Sequence, residues 1–120
     1  MDLDQLTRRL REFASERDWD QFHTPKNLAM ALVGEAGELT EIFQWLTPED
    51  SARIMDDPAT AQEVKNEIAD VFAYLLRLAD VLGIDIAAAL TTKIALNEAK
   101  YPAALARGTA VKYDKLRTEH

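Results

Sequence analysis

The 120-residue sequence has no cysteine, which excludes disulfides, zinc–thiolate sites and a thiol nucleophile. Glycine and proline number four each, too few for a collagen-like or low-complexity scaffold. No apolar run approaches the ~20 residues of a membrane-spanning helix. The opening Met1-Asp2-Leu3-Asp4 lacks the basic and apolar stretches of a signal peptide. A cytoplasmic protein with no membrane partner is therefore expected. Positive charge is also short: 14 Lys+Arg face 21 Asp+Glu, a net charge of −7 and a pI near 4.8. That balance repels a polyanion and argues against a nucleic acid polymer as partner. A small phosphorylated ligand stays open, because bound metal or a local cation cluster reverses the field. What is present is ordinary for a globular chain, with 48% hydrophobic and 29% charged residues. A single domain over residues 1–120 is expected.

The few prolines and glycines punctuate helices. Leu3, Leu6, Leu10 and Phe13 recur at helical spacing behind Asp2, with Gln5 at the capping-box position. The first helix is read from Leu3 to about Arg17, followed by a loop, Asp18 to His23. Thr24-Pro25, Thr47-Pro48 and Asp57-Pro58 each join a cap to a proline at the first helical position. They open a helix to about Trp45, a short helix or turn, and a long helix to Leu82, stopped at Gly83. Asp85 caps a further helix ending near Tyr101, since Pro102 disfavours helix before it. Ala103 to His120 reads as a tail. No strand pattern emerges, so the fold class is all-α, a bundle of four main helices.

Two helices place acids where apolar residues belong. Leu28, Leu32, Leu39 and Ile42 share an arc roughly 80° wide at 100° per residue. Glu35 falls inside it, Glu38 on its edge, and Glu41 points away. On the next long helix Val64, Ile68, Val71, Leu75, Leu78 and Leu82 form the main apolar face, and Phe72 and Leu76 extend it. A strip of Glu67, Asp70 and Tyr74 runs between them at spacings of three and four. Lys93, Asn97 and Lys100 share the face that Ile86 and Leu90 begin on the last helix. Two readings compete. Inward Glu–Lys pairs would fix helix register, whereas four carboxylates on two helices would instead bind a divalent cation, relieving their mutual repulsion. An all-oxygen set suits Mg²⁺ or Mn²⁺.

Glu35-x-x-Glu38 and Glu67-x-x-Asp70 on successive helices resemble the signature of the all-α MazG-like nucleotide pyrophosphohydrolases, most closely the dCTP pyrophosphatase branch. The resemblance continues through Glu16-Arg17-Asp18-Trp19, Gln21-Phe22-His23, Asn27-Leu28, Phe43-Gln44-Trp45, Lys93, Asn97, Tyr101-Pro102, Arg107-Gly108 and Lys112-Tyr113. It implies hydrolysis of a nucleoside triphosphate between its α- and β-phosphates, with Glu35, Glu38, Glu67 and Asp70 as Mg²⁺ ligands. Glu38 is the preferred proton acceptor for the attacking water. Lys93 would offset charge on the phosphate oxygens, Asn97 would donate to phosphate or sugar, and Lys112 would assist. Trp19 and Trp45 are the implied base-stacking residues, with Tyr74 beside them, while the loop residue His23 has two readings, a donor to base or phosphate and, favoured for a loop histidine, a structural residue. Mammalian members carry a base-holding histidine at the position of Leu10. Leucine forms no side-chain hydrogen bond, so a broader dNTP preference or a modified pyrimidine is also open. The resemblance further implies a homo-oligomer, dimer or tetramer. The rivals are a broader dNTP or dUTP pyrophosphatase and a non-catalytic helical interaction module.

Overall fold

Every main helix starts at a side chain that satisfies its first free N–H groups, each cap being worth about 1 kcal/mol. The computed structural model describes residues 1–111. In α1 (Leu3–Glu16), Asp2 accepts from the Gln5 N–H at 2.8 Å while Gln5 Oε1 accepts from the Asp2 N–H at 2.9 Å. Thr24 caps α2 (Pro25–Phe43) and Thr47 caps α3 (Pro48–Ala52), each accepting from the N–H three residues on. Asp57 caps α4 (Pro58–Val81) and Asp85 caps α5 (Ile86–Lys100) in the same way. Short 3₁₀ turns occupy Asp20–Phe22 and Ile54–Asp56. A further short helix, α6 (Ala103–Ala106), lies where the sequence reads as tail; it follows Pro102, and its turn closes before Gly108 at φ +77°. Four helix-favouring residues between two breakers carry no periodicity from which to foresee it. Among the described residues there is no strand, and no helix is long and apolar enough to cross a membrane.

The chain forms two compact units, residues 1–84 and the part from Asp85 onward. In the first, α2 packs along α4, and α1 packs against α4 more sparingly. Ala14, Leu28, Val64, Leu76 and Ala79 are buried at these contacts. The apolar face expected of α4 is only partly covered: Val64 is buried, but Ile68, Phe72, Leu75 and Leu82 remain exposed, Ile68 by 52%. α1, α2 and the Ile54–Asp56 turn leave part of its circumference open, and α4 is apolar on more sides than they cover. In the second unit α5 has no buried residue, and Leu90, Ile94 and Leu96 are exposed. Lys93 and Asn97, expected on an inward face, are exposed as well.

The turn after α1 orients an aromatic side chain and anchors the loop behind it. Asp18 takes φ +53°, and the Trp19 N–H reaches back to the Ala14 carbonyl at 2.9 Å. This left-handed residue ends the helix within one turn and leaves the Trp19 indole edge-on to Phe13, centroids 5.6 Å apart. Gln21 Nε2 donates to both the carbonyl and the carboxylate of Asp18 at 3.0 Å, and Asn27 Nδ2 donates to the Phe22 carbonyl at 3.0 Å. The loop is thus tied to itself and to the start of α2.

Candidate active site

The packing of α2 on α4 brings Glu35 and Glu38, one turn apart on α2, against Glu67 of α4. One carboxylate oxygen from each lies within 4.8 Å of the other two. Glu35 and Glu67 are half-buried, and Glu38 is exposed. Oε2 of Glu35 and Oε2 of Glu67 are shielded from solvent and have no hydrogen-bond partner. Among the described residues, no lysine or arginine forms an ion pair with any of the three. Two unit charges ~4 Å apart repel by ~4 kcal/mol at an effective dielectric near 20, so the metal-free cluster resists full ionisation. Burial first, then contact with Glu38 and the charges of Asp70 and Glu67, push the Glu35 carboxyl up to about 7. Burial, Glu38 and Asp70 likewise raise Glu67.

Orphaned buried oxygens on converging carboxylates fit a divalent cation, which would satisfy them and cancel the repulsion. Oxygen-only donors favour a hard ion. Asp70 is exposed and stands outside the three-oxygen group, yet its charge acts on both Glu35 and Glu67. It also lines the adjoining cavity. That cavity, of about 180 Å³, lies between α1, the Asp18–His23 loop and α4. Leu10, Phe13 and Ala14 wall it from α1, Trp19 and His23 from the loop, and Asp70, Ala73, Tyr74 and Arg77 from α4. Asp70 thus borders an anionic cluster on one side and an aromatic pocket on the other.

Residues 31–116 match the MazG-like family, a span that includes all four acids. The chain belongs to the MazG-like family. It is 43% identical over 114 residues to dCTP pyrophosphatase 1 of Homo sapiens, covering 95% of this chain and 67% of that protein. It is 42% identical to dCTP pyrophosphatase 1 of Bos taurus, again over 114 residues, with 95% and 68% covered. The crystal structure of a pyrophosphatase from Archaeoglobus fulgidus is similar in fold, with a TM-score of 0.77 and 43% identity over 82% of this chain and 91% of that one.

Of the residues that the MazG-like resemblance singles out, the structure joins Glu35, Glu38 and Glu67 in the cluster, and Trp19, Asp70 and Tyr74 around the cavity. Trp45 lies beyond the end of α2 and is 87% exposed, away from the cavity lining. Lys93 and Asn97 are exposed one turn apart on α5. Lys112 lies outside the described residues.

Sequence reasoning does not point to Arg77 or Phe13 as site residues, and reads His23 as structural. Arg77 is the one buried charged residue among those described, at 8% exposure. Its Nη2 donates to Asp20 Oδ1 at 2.7 Å, its Nη1 to Asp80 Oδ2 at 3.1 Å, and its Nε to His23 Nδ1 at 3.1 Å. Arg11 grips the same Asp80 through two hydrogen bonds, at 2.9 and 2.6 Å. These two arginines hold the Asp80 carboxyl below its ordinary range, the Arg11 hydrogen bond being the largest cause. A signal for Arg77 does exist in the chain: it extends the strip Glu67, Asp70 and Tyr74 by three residues, on the same side of α4. Phe13 reads as core from its spacing, and only the fold of the loop turns its ring toward Trp19.

Proposed function

We propose that the chain is a Mg²⁺-dependent nucleoside triphosphate pyrophosphohydrolase that acts on dCTP or related pyrimidine dNTPs, including modified cytosine. It would hydrolyse the bond between the α- and β-phosphates and release dNMP and pyrophosphate, clearing the cytoplasmic nucleotide pool. The carrying observation is the shared border at Asp70: a pocket with a Trp19 indole and a Tyr74 phenol abuts carboxylates whose buried oxygens have no partner. Such a pairing suits a ligand that is aromatic at one end and polyanionic at the other. The activity for which the relatives are named, dCTP pyrophosphatase, supports the same substrate class.

Glu35, Glu38 and Glu67 would hold the cation, with Asp70 completing the set; Mn²⁺ suits the same oxygens. When bound, the ion supplies positive charge against the phosphate oxygens and activates water. Glu38, exposed and held beside its two half-buried neighbours, takes the proton from the attacking water at a carboxylate oxygen. Trp19 stacks on the base, and Tyr74 packs at its edge. Lys93 offsets negative charge on the phosphates, Asn97 donates to phosphate or sugar, and Lys112 adds a contact to phosphate; Trp45, outside this cavity lining, would meet the base of a neighbouring copy in the oligomer. The two compact units act as one MazG-like domain, a reading supported by the family match running through both.

A broader dNTP or dUTP preference is the second reading, favoured by Leu10 in the cavity wall, which offers the base no hydrogen bond. Pyrophosphate release measured across dCTP, 5-methyl-dCTP, dTTP, dUTP and purine dNTPs, with and without Mg²⁺, tests both. Release from dCTP and its 5-methyl form above all others supports the first reading, and equal release from dUTP and dTTP the second. No release from any of them would leave a helical interaction module. We also propose a homodimer or tetramer that covers Ile68, Phe72 and Leu82, all exposed on or just after α4. Light scattering that gave an active monomer would overturn that assembly.

A further inference from the structure

A guanidinium only donates hydrogen bonds. The ring nitrogen of His23 that meets Arg77 Nε at 3.1 Å, Nδ1, must therefore be an unprotonated acceptor. The single proton of the neutral ring then sits on Nε2. That N–H has no protein partner among the described residues, and His23 lines the cavity with Trp19. Arg77 has little freedom to let go, since Asp20 and Asp80 fix its other two nitrogens and Arg11 fixes Asp80. We propose that Arg77 is a positioning residue for base selection: it locks His23 as the Nε2–H tautomer, so that the cavity presents one fixed donor to the base. The inference rests on the nucleotide reading above. It assigns His23 to the substrate pocket and predicts selection for a base edge that turns a carbonyl oxygen or an unprotonated ring nitrogen toward it. An edge that brings an N–H there meets a second donor.

The surroundings of His23 agree. Asp20 accepts from Nη2 of the same Arg77, and Asp70 and Tyr74 share the cavity. A second proton on Nδ1 would point at a guanidinium N–H, so the ring resists becoming a cation. Burial and the Arg77 charge lower its pKa, with Asp20 opposing them.

The test begins with the unaltered protein, which has two histidines, His23 and His120. Long-range proton–nitrogen NMR, with His120→Gln to assign the signals, should find His23 as Nε2–H alone, still neutral at a pH where His120 has taken its second proton. A proton on Nδ1 of the neutral ring, or titration together with His120, overturns the proposal without any variant having to fold. The functional arm compares Arg77→Met with Asp80→Asn, a change that weakens the same network outside the cavity lining. In Arg77→Met the His23 titration should move toward that of His120. KM for the preferred pyrimidine should rise about tenfold, with a smaller change in kcat, and discrimination among pyrimidine dNTPs should fall by a similar factor, the effect of about one hydrogen bond. Asp80→Asn should lower stability while leaving the tautomer and the base ratio in place. If both variants shift the ratio in step with stability, or neither does, Arg77 is structural and the proposal fails. Unaltered protein that turns over none of the nucleotides overturns the reading of function, and this inference with it. Turnover with an unchanged ratio in Arg77→Met overturns this inference alone.

Discussion

Helix α4 carries acids into two opposite settings. Near its middle Glu67 meets Glu35 and Glu38, three carboxylates converging with no ion pair to a lysine or arginine among the described residues. Near its end Asp80 sits between Arg77 and Arg11, each within hydrogen-bond distance. Both settings remove a carboxylate from water, but the direction of the pKa shift separates them. Glu35 and Glu67 are raised, because burial and like charge favour the proton, and Asp80 is lowered, because cations favour the carboxylate. Acids matched by arginine hold helices together. Acids left unmatched are relieved by a proton or by a bound cation, and that need marks where a ligand acts.

The contrast can be broken most severely at the unmatched cluster. Glu38→Gln and Glu67→Gln should each lower pyrophosphate release by roughly a hundredfold or more, a range typical of losing a positioned base or charge, while the helical circular dichroism persists. Retained turnover in both would detach the cluster from catalysis. Next in size is the matched cluster. Asp80→Ala strips a partner from the buried Arg77 and should lower unfolding stability by about 3 kcal/mol, read from urea titration. A loss no larger than that of an exposed pair would show the Arg77 contacts to be dispensable.

A smaller effect sharpens the comparison by its sign. Glu35→Gln should raise the melting temperature of the EDTA-treated protein at pH 7.5, since it removes a charge from a crowded site. The same change should remove most of the stabilisation that added Mg²⁺ gives the unaltered protein. A variant destabilised without metal would mean that the cluster is not repulsive.

The gentlest test is pH. Glu35 has a folded-state value near 7, above its unfolded value, so the folded chain binds more protons in between. The contribution of Glu35 to metal-free stability should therefore decline as pH rises from about 4.5 through 7. Asp80 has a folded-state value below its unfolded one, so its contribution is present above about pH 4 and is lost as pH falls further. Melting curves of Glu35→Gln and Asp80→Asn against the unaltered protein should thus diverge at opposite ends of the pH scale, and divergence at the same end would refute the contrast.

Much of the fold is legible in the chain because it depends on neighbours in sequence. Asp2 with Gln5, Thr24 with Pro25, Asp57 with Pro58 and Asp85 act within one helical turn, and each starts a helix where the pattern says. Glu35 betrays itself as a charge inside an apolar arc with Glu38 on its edge, and Glu67 and Asp70 as a strip between apolar faces; the structure leaves Glu38 and Asp70 exposed. Arg77 is hard to read for the opposite reason: two of its partners, Asp20 and His23, come from a distant loop, and only Asp80 lies on its own helix. Spacing puts Arg77 on the strip of Glu67, Asp70 and Tyr74, but pairing across the chain leaves no local sign of its partners.

The capped helices, their starts and the identity of the unmatched acids follow from the chain alone, since capping, helical period and charge are properties of residues within a few positions of one another. Tertiary structure alone decided which acids converge, that Trp19 rather than Trp45 joins Tyr74 at a cavity, and that a buried arginine fixes the proton of His23. Those outcomes depend on the separation and rotation of α1, the loop and α4, and the packing of whole helices sets these.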